Sequence, residues 1–271
     1  MVPIFAGCRN VLEPDESDDP VDAGDASADA DSGTDTDDCE GEVVVFPDPV
    51  LDGCVRAALG QPEGVLRTED VAEIEEINMC DPTMEIPEGV SSLEGAQCLV
   101  SVRYLSIYNS SVSDLSPFAG HMSLEVLVLE DNHVADLSPL AGVTSLTSLY
   151  LELNFIDDVS PLAGLTEMTY LVMFDNGVTD ISALAGLTKM VYFDFSNNGI
   201  TDISAIAGYT EIVWLLLEGN AITDLSPLVA NAGIDEGDDV SVVDNPIDEV
   251  AQADNIAALC DRGVLLDPYC P

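Results

Sequence analysis

Lysine is almost missing from this chain of 271 residues: Lys189 stands alone, and with five arginines it faces 52 aspartates and glutamates, for a formal net charge of −46. A surface that acidic repels nucleic-acid phosphates and anionic lipid headgroups, which excludes both as partners. The same excess of acid with so little lysine is the balance of a protein from a saline setting, where salt screens self-repulsion. No apolar run approaches the roughly 18 residues of a membrane-spanning helix, so any membrane attachment has to be covalent. Cys-x-x-Cys pairs are absent and His121 and His133 are remote from the cysteines, so a zinc site is not expected. Glycine-rich phosphate loops and the serine elbow of hydrolases are missing too, and neither histidine has a nucleophile placed beside it. No enzyme activity, cofactor or metal is expected.

What the chain has in abundance is repetition. Between residues 101 and 227 one 22-residue unit is written six times, and the copies keep their register without an insertion. Asn132, Asn154, Asn176, Asn198 and Asn220 fall 22 apart, as do Asp114, Asp136, Asp158, Asp180, Asp202 and Asp224. In Leu127-Val128-Leu129 the alternation is that of a short strand with two apolar side chains in and one out, followed at Asn132 by a turn. A fixed period in this range with L-x-L-x-x-N at its centre is the leucine-rich-repeat pattern. One such strand cannot bury its face alone, but stacked copies can. The aligned asparagines are read as structural, their amides pairing backbone groups of the adjacent coil. In Asp136-x-Ser138-Pro139-Leu140-Ala141-Gly142, Ser138 suits an N-cap, Pro139 the first helical position and Gly142 the exit, so the aligned aspartates are turn chemistry before they are metal ligands. The expected fold is an α/β solenoid: a parallel β-sheet on the concave face, short helical or 3-10 turns on the convex face, and a helical N-terminal cap.

The ends differ from the repeats. Phe5-Ala6-Gly7-Cys8 resembles the lipobox of bacterial lipoproteins, in which the cysteine thiol is acylated, so residues 1–8 are read as a truncated lipoprotein signal with Cys8 as the lipidation site. Seven residues are too few for a complete signal peptide, so either translation starts further upstream or the likeness to a lipobox is chance. Residues 9–42 hold fourteen acidic residues, one basic and no aromatic, and are expected to form a disordered acidic tether. That tether carries −13 of the −46, leaving −33 on the remainder. Residues 43–100 read as the N-terminal cap and a degenerate first repeat, with an amphipathic helix closed by Gly60, a second starting near Thr68, and a strand around Ile74 to Met79. Residues 101–230 are the regular repeats. Residues 231–271 supply a last strand at Val240 and Val242 and a capping helix stopped by Gly263. That makes eight strands. Helix, degenerate strand and then perfect 22-residue repeats is the order found in internalin-like bacterial proteins, which residues 46–227 resemble. The resemblance implies a surface protein that binds other proteins through its concave sheet.

Setting Cys8 aside leaves Cys39, Cys54, Cys80, Cys98, Cys260 and Cys270, all flanking the caps. An even count outside the cytosol suggests disulfides that staple the solenoid ends. Cys260 with Cys270 is the favoured pair, and the other four leave three pairings open. For function, the informative positions face outward from the strands, where the repeat leaves side-chain identity free. Tyr104, Tyr108, Tyr150, Tyr170, Phe174, Tyr192 and Trp214 point this way and are expected to form a partner-binding stripe, since tyrosine and tryptophan concentrate binding energy. The expectation is a monomeric, extracytoplasmic, lipid-anchored module that binds a protein. The alternatives are a structural envelope protein and a carbohydrate-binding surface module.

Overall fold

A computed structural model describes Cys39, residues 43–78 and residues 89–270. Cys8, Cys80 and, apart from Cys39, the acidic stretch 9–42 lie outside the described residues. All described residues belong to one unit, Asp35–Pro271.

Each repeat contributes a three-residue strand because its leucine alternation leaves one side to bury and one to expose. The sheet runs through β3 (Glu76–Ile77), β4 (Tyr104–Ser106), β5 (Val126–Val128), β6 (Ser148–Tyr150), β7 (Tyr170–Val172), β8 (Tyr192–Asp194), β9 (Trp214–Leu216), β10 (Asp239–Ser241) and β11 (Leu265–Asp267), each parallel to the next. This is one strand more than the eight expected. β11 belongs to no repeat, but it extends the sheet by pairing Leu266 with Val240 and so covers an edge that β10 would otherwise leave open. A further pair outside the repeats, β1 (Val43–Val44) against β2 (Leu66–Arg67), is antiparallel and sits in the N-terminal cap.

The register is strict. Leu105, Leu127, Leu149, Leu171, Phe193, Leu215 and Val240 pair in line across the sheet and are all buried. Against them pack Leu140, Leu162, Leu184, Ile206 and Leu228 from the convex turns. These turns are 3-10 except for α3 (Ser226–Ala230). Larger side chains fill the C-terminal half of the core, where Phe193 stacks on Phe195 at 4.2 Å between centroids and lies 5.6 Å from Tyr209. The Tyr209 hydroxyl donates to the Leu184 carbonyl. His121 occupies the same repeat position as Tyr209 and, also buried, bonds the Leu99 carbonyl at 3.0 Å.

The asparagine column does what its position requires. Asn154 Oδ1 accepts from the Val134 N–H at 2.8 Å while Nδ2 donates to Leu129 O at 2.8 Å, so one amide joins neighbouring coils. Asn132, Asn176, Asn198, Asn220 and Asn245 repeat the arrangement. At the first coil Ser110 takes the place, its hydroxyl accepting from the Val90 N–H. Each amide thereby pairs backbone groups that burial would leave unsatisfied.

The convex turns correct one expectation. Ser138 is not the cap; it is the first residue of the 3-10 turn, and Asp136 Oδ1 accepts its N–H at 2.8 Å while Oδ2 accepts its hydroxyl at 2.9 Å. A carboxylate two residues ahead bonds both groups at once, which a serine at that place cannot do. Asp114, Asp158 and Asp224 do the same.

At the N-terminal end, Asp48 caps α1 (Pro49–Leu59), accepting from the N–H groups of Val50 and Leu51, and also takes the N–H groups of Ser91 and Ser92 and the Ser91 hydroxyl. Burial would raise its carboxyl, but these hydrogen bonds outweigh burial and hold it below the usual aspartate value. Gly60 ends the helix in the left-handed conformation. α2 (Thr68–Val71) follows. Cys39 is joined to Cys98 across 59 residues, and Cys54 is also disulfide-bonded. At the other end α4 (Ala253–Asp261) leads to β11, and Cys260 is joined to Cys270.

Candidate partner-binding face

Strand pairing aligns the outward side chains into columns. One runs Tyr104, Val126, Ser148, Tyr170, Tyr192, Trp214 and Asp239, and the next Ser106, Val128, Tyr150, Val172, Asp194, Leu216 and Ser241. Two residues beyond lies a third: Tyr108, Glu130, Glu152, Phe174, Ser196 and Glu218.

Three of the expected aromatics form a continuous strip. Tyr170 stacks on Tyr192 with ring centroids 6.1 Å apart and planes 16° from parallel, and Tyr192 meets Trp214 at 6.1 Å and 41°. Tyr150 lies one strand before, in the adjoining column. Tyr104 and Tyr108 belong to the first regular repeat, with Val126 and Ser148 standing between Tyr104 and the strip. All seven aromatics are half-buried rather than exposed; for Tyr170, Tyr192 and Trp214 the neighbouring ring supplies part of the cover. Burial, with Asp194 and Glu152 nearby, pushes the Tyr192 hydroxyl up to about 12, so it stays a donor at any physiological pH.

Beside the strip is a set of acids that sequence reasoning did not single out. Asp194 is buried; its Oδ1 accepts from the Ser196 N–H at 3.0 Å, yet burial still raises its carboxyl. Glu130 is raised by burial and by Asp131. Glu218 accepts from the Ser241 hydroxyl at 2.8 Å. Glu152 is different: only 9% exposed, it has an Oε2 atom that is buried without a hydrogen-bond partner. Burial first, and then the charges of Glu130 and Asp194, push it up to about 7. Among the described residues no group of three or more acids, cysteines or histidines is arranged to hold a metal ion.

The same repeat departs from its neighbours twice more. Asn109, Asp131, Leu153, Asp175, Asn197, Gly219 and Asp244 all take positive φ at the turn after the strand. Six of these are residue types that tolerate the left-handed region; Leu153 is not, and it is 41% exposed. Phe155 is 66% exposed, and its ring centroid is 5.7 Å from that of His133 on the preceding coil. Reading the repeats as columns is the signal that finds Leu153.

Sheet, turns and asparagine column define the class: this is a leucine-rich-repeat protein. A family model of leucine-rich repeats in two copies matches residues 123–164. Among solved structures, internalin C2 of Listeria monocytogenes strain 4b F2365 is similar at 28% identity with a TM-score of 0.68, over 82% of this chain and 94% of that one. Internalin F of the same strain shares the fold at 24% identity and a TM-score of 0.63, over 82% and 68% of the respective chains. A leucine-rich-repeat protein of Leptospira interrogans shares it at 17% identity and 0.52, over 64% and 50%. A comparison with curated protein sequences finds no match. In its repeats and fold the chain is internalin-like.

Proposed function

We propose that this protein is an extracytoplasmic binding module that holds a protein partner on its concave face and performs no catalysis. Leucine-rich-repeat folds commonly mediate protein–protein interaction, since stacked strands offer an extended surface with free side-chain choice. The observation that carries the reading is the strip Tyr170, Tyr192 and Trp214, three large rings in contact along the sheet. Such rings bury much area at little entropic cost and act as anchors. Tyr150 and Phe174 flank the strip, while Tyr104 and Tyr108 extend the surface to its N-terminal end. Disulfides at both caps support an oxidising compartment. In the same reading Cys8 carries a lipid, residues 9–42 space the body from the membrane, and the body acts as a monomer.

The test is capture of partners from the native cell envelope on the immobilised body, followed by measured dissociation constants. Tyr192→Ala and Trp214→Ala should each weaken binding by about 2 kcal/mol. A partner whose affinity survives both substitutions would show that the interaction lies elsewhere.

A further inference from the structure

The repeat that contains β6 bears three local penalties, and each of its neighbours avoids at least two of them. A carboxylate oxygen is buried at Glu152 with no donor to meet it. The cations among the described residues are engaged or distant: Lys189 pairs with Glu167, Arg103 with Glu125 and Arg56 with Asp52, Arg262 donates to the carbonyls of Val229 and Asn231, and Arg67 lies in the N-terminal cap. Glu130 and Asp194 add repulsion. One residue on, Leu153 takes a left-handed conformation where other repeats place asparagine, aspartate or glycine. Two further on, Phe155 leaves two-thirds of its surface in water. Buried unpaired charge, backbone strain and exposed aromatic surface each lower stability, and together they mark a site whose missing component would relieve them.

The chemistry of that component follows from what is unsatisfied. Glu152 has a buried oxygen without a donor and no cation beside it, feels the repulsion of Glu130 and Asp194, and sits on a body of net charge −33, which calls for a positive group. A metal ion is disfavoured because no ligand cluster is arranged for one among the described residues. Exposed apolar surface next to the acid calls for an apolar neighbour. We propose that the repeat around Glu152 is the anchor point for a loop of the partner protein that presents a lysine or arginine beside an apolar side chain. The cationic head sits over the 9% of Glu152 that stays exposed and offsets its charge from there, while the apolar group covers Leu153 and Phe155. This rests on the concave face being the binding face and names the partner's chemistry there.

A library of disulfide-closed random loops selected on the intact protein at 0.3 M NaCl, where diffuse attraction is screened, tests it. Enriched loops should carry a lysine or arginine next to an aliphatic or aromatic residue. They should bind Glu152→Gln at least tenfold more weakly and Leu153→Asn several-fold more weakly, yet bind Glu211→Gln, which removes the same charge outside the strands, as tightly as the parent. Melting temperatures of Glu152→Gln and Leu153→Asn should be no lower than the parent's, which separates lost binding from lost fold. Loops that lose affinity on Tyr192→Ala but ignore Glu152→Gln overturn the anchor and leave the concave reading standing. Loops indifferent to all of these substitutions overturn both. If no loop is enriched the anchor falls, and envelope capture remains the test of the wider reading.

Discussion

Asn154 and Glu152 lie two residues apart in the same turn and are almost equally buried, at 6% and 9% exposure. The amide of Asn154 makes bonds to Val134, Leu129, Leu151 and Glu152 backbone groups. One oxygen of Glu152 makes none. The first belongs to a column in which every coil needs the same bonds, so its residue type repeats. The second belongs to a column that reads Tyr108, Glu130, Glu152, Phe174, Ser196 and Glu218, where folding asks for nothing in particular. Side chains that build the solenoid are recognised by periodicity; those that use it are recognised by departure from it.

The sharpest way to break the contrast is to remove the satisfied member. Asn154→Ala leaves several buried backbone groups without partners and should cost about 4 kcal/mol, seen as a lower urea midpoint. A cost near zero would mean water replaces the amide and the column is not structural.

The unsatisfied member should show itself through pH. Below the ordinary glutamate value of 4.5, Glu152 is protonated whether folded or not and makes no difference to stability. Between there and about 7 the folded protein retains a proton that the unfolded chain has released, so stability declines as pH rises, and flattens above the folded value. The decline due to this group is about 3 kcal/mol at most. Asp194 and Glu130, raised for the same reason, act in the same direction. Urea titrations from pH 5 to 8 should show a shallower slope for Glu152→Gln than for the parent; parallel slopes would mean the carboxylate is hydrated after all.

The aromatic strip sits between the two extremes. Its rings are half-buried against one another, so Trp214→Ala should lower affinity for a captured partner by about 2 kcal/mol and lower stability by less than that, measured side by side. The smallest effect has the opposite sign. Leu153→Asn places a tolerant residue at positive φ and should raise stability by about 1 kcal/mol. An unchanged or lower urea midpoint would remove the strain from the comparison.

Much of this fold could be read directly from the chain. The 22-residue period sets strand spacing and, because a slip of one residue would turn every side chain to the other face, it also sets which residues point outward. That is why the period alone places Tyr170, Tyr192 and Trp214 together. β11 was not legible, because Leu265–Asp267 has no counterpart in the repeats and pairs only once the capping helix has turned the chain back. The role of Asp136 was misassigned to Ser138, since both residues are good turn formers and spacing alone does not say which one accepts. Glu152 appears in the outward column as one more acid on an acidic surface. Whether it is covered depends on side chains of adjoining repeats, which a single column does not report. Leu153 was visible in principle, but a left-handed φ is a property of the turn, and only the aligned asparagines and aspartates reveal it.

The bond between Cys39 and Cys98 has a mechanical consequence. If the protein is tethered through its N-terminal stretch, drag on a bound partner pulls between that stretch and the sheet. The covalent link passes tension from Cys39 straight to Cys98, next to the first regular repeat, so α1, α2 and β3 are spared from stretching. With the link reduced, the same tension would peel the N-terminal cap from its end and uncover the first turns of the solenoid. Under such a load the staple would hold the cap in place, and a single-molecule pull from residue 39 should give way at clearly lower load in reductant.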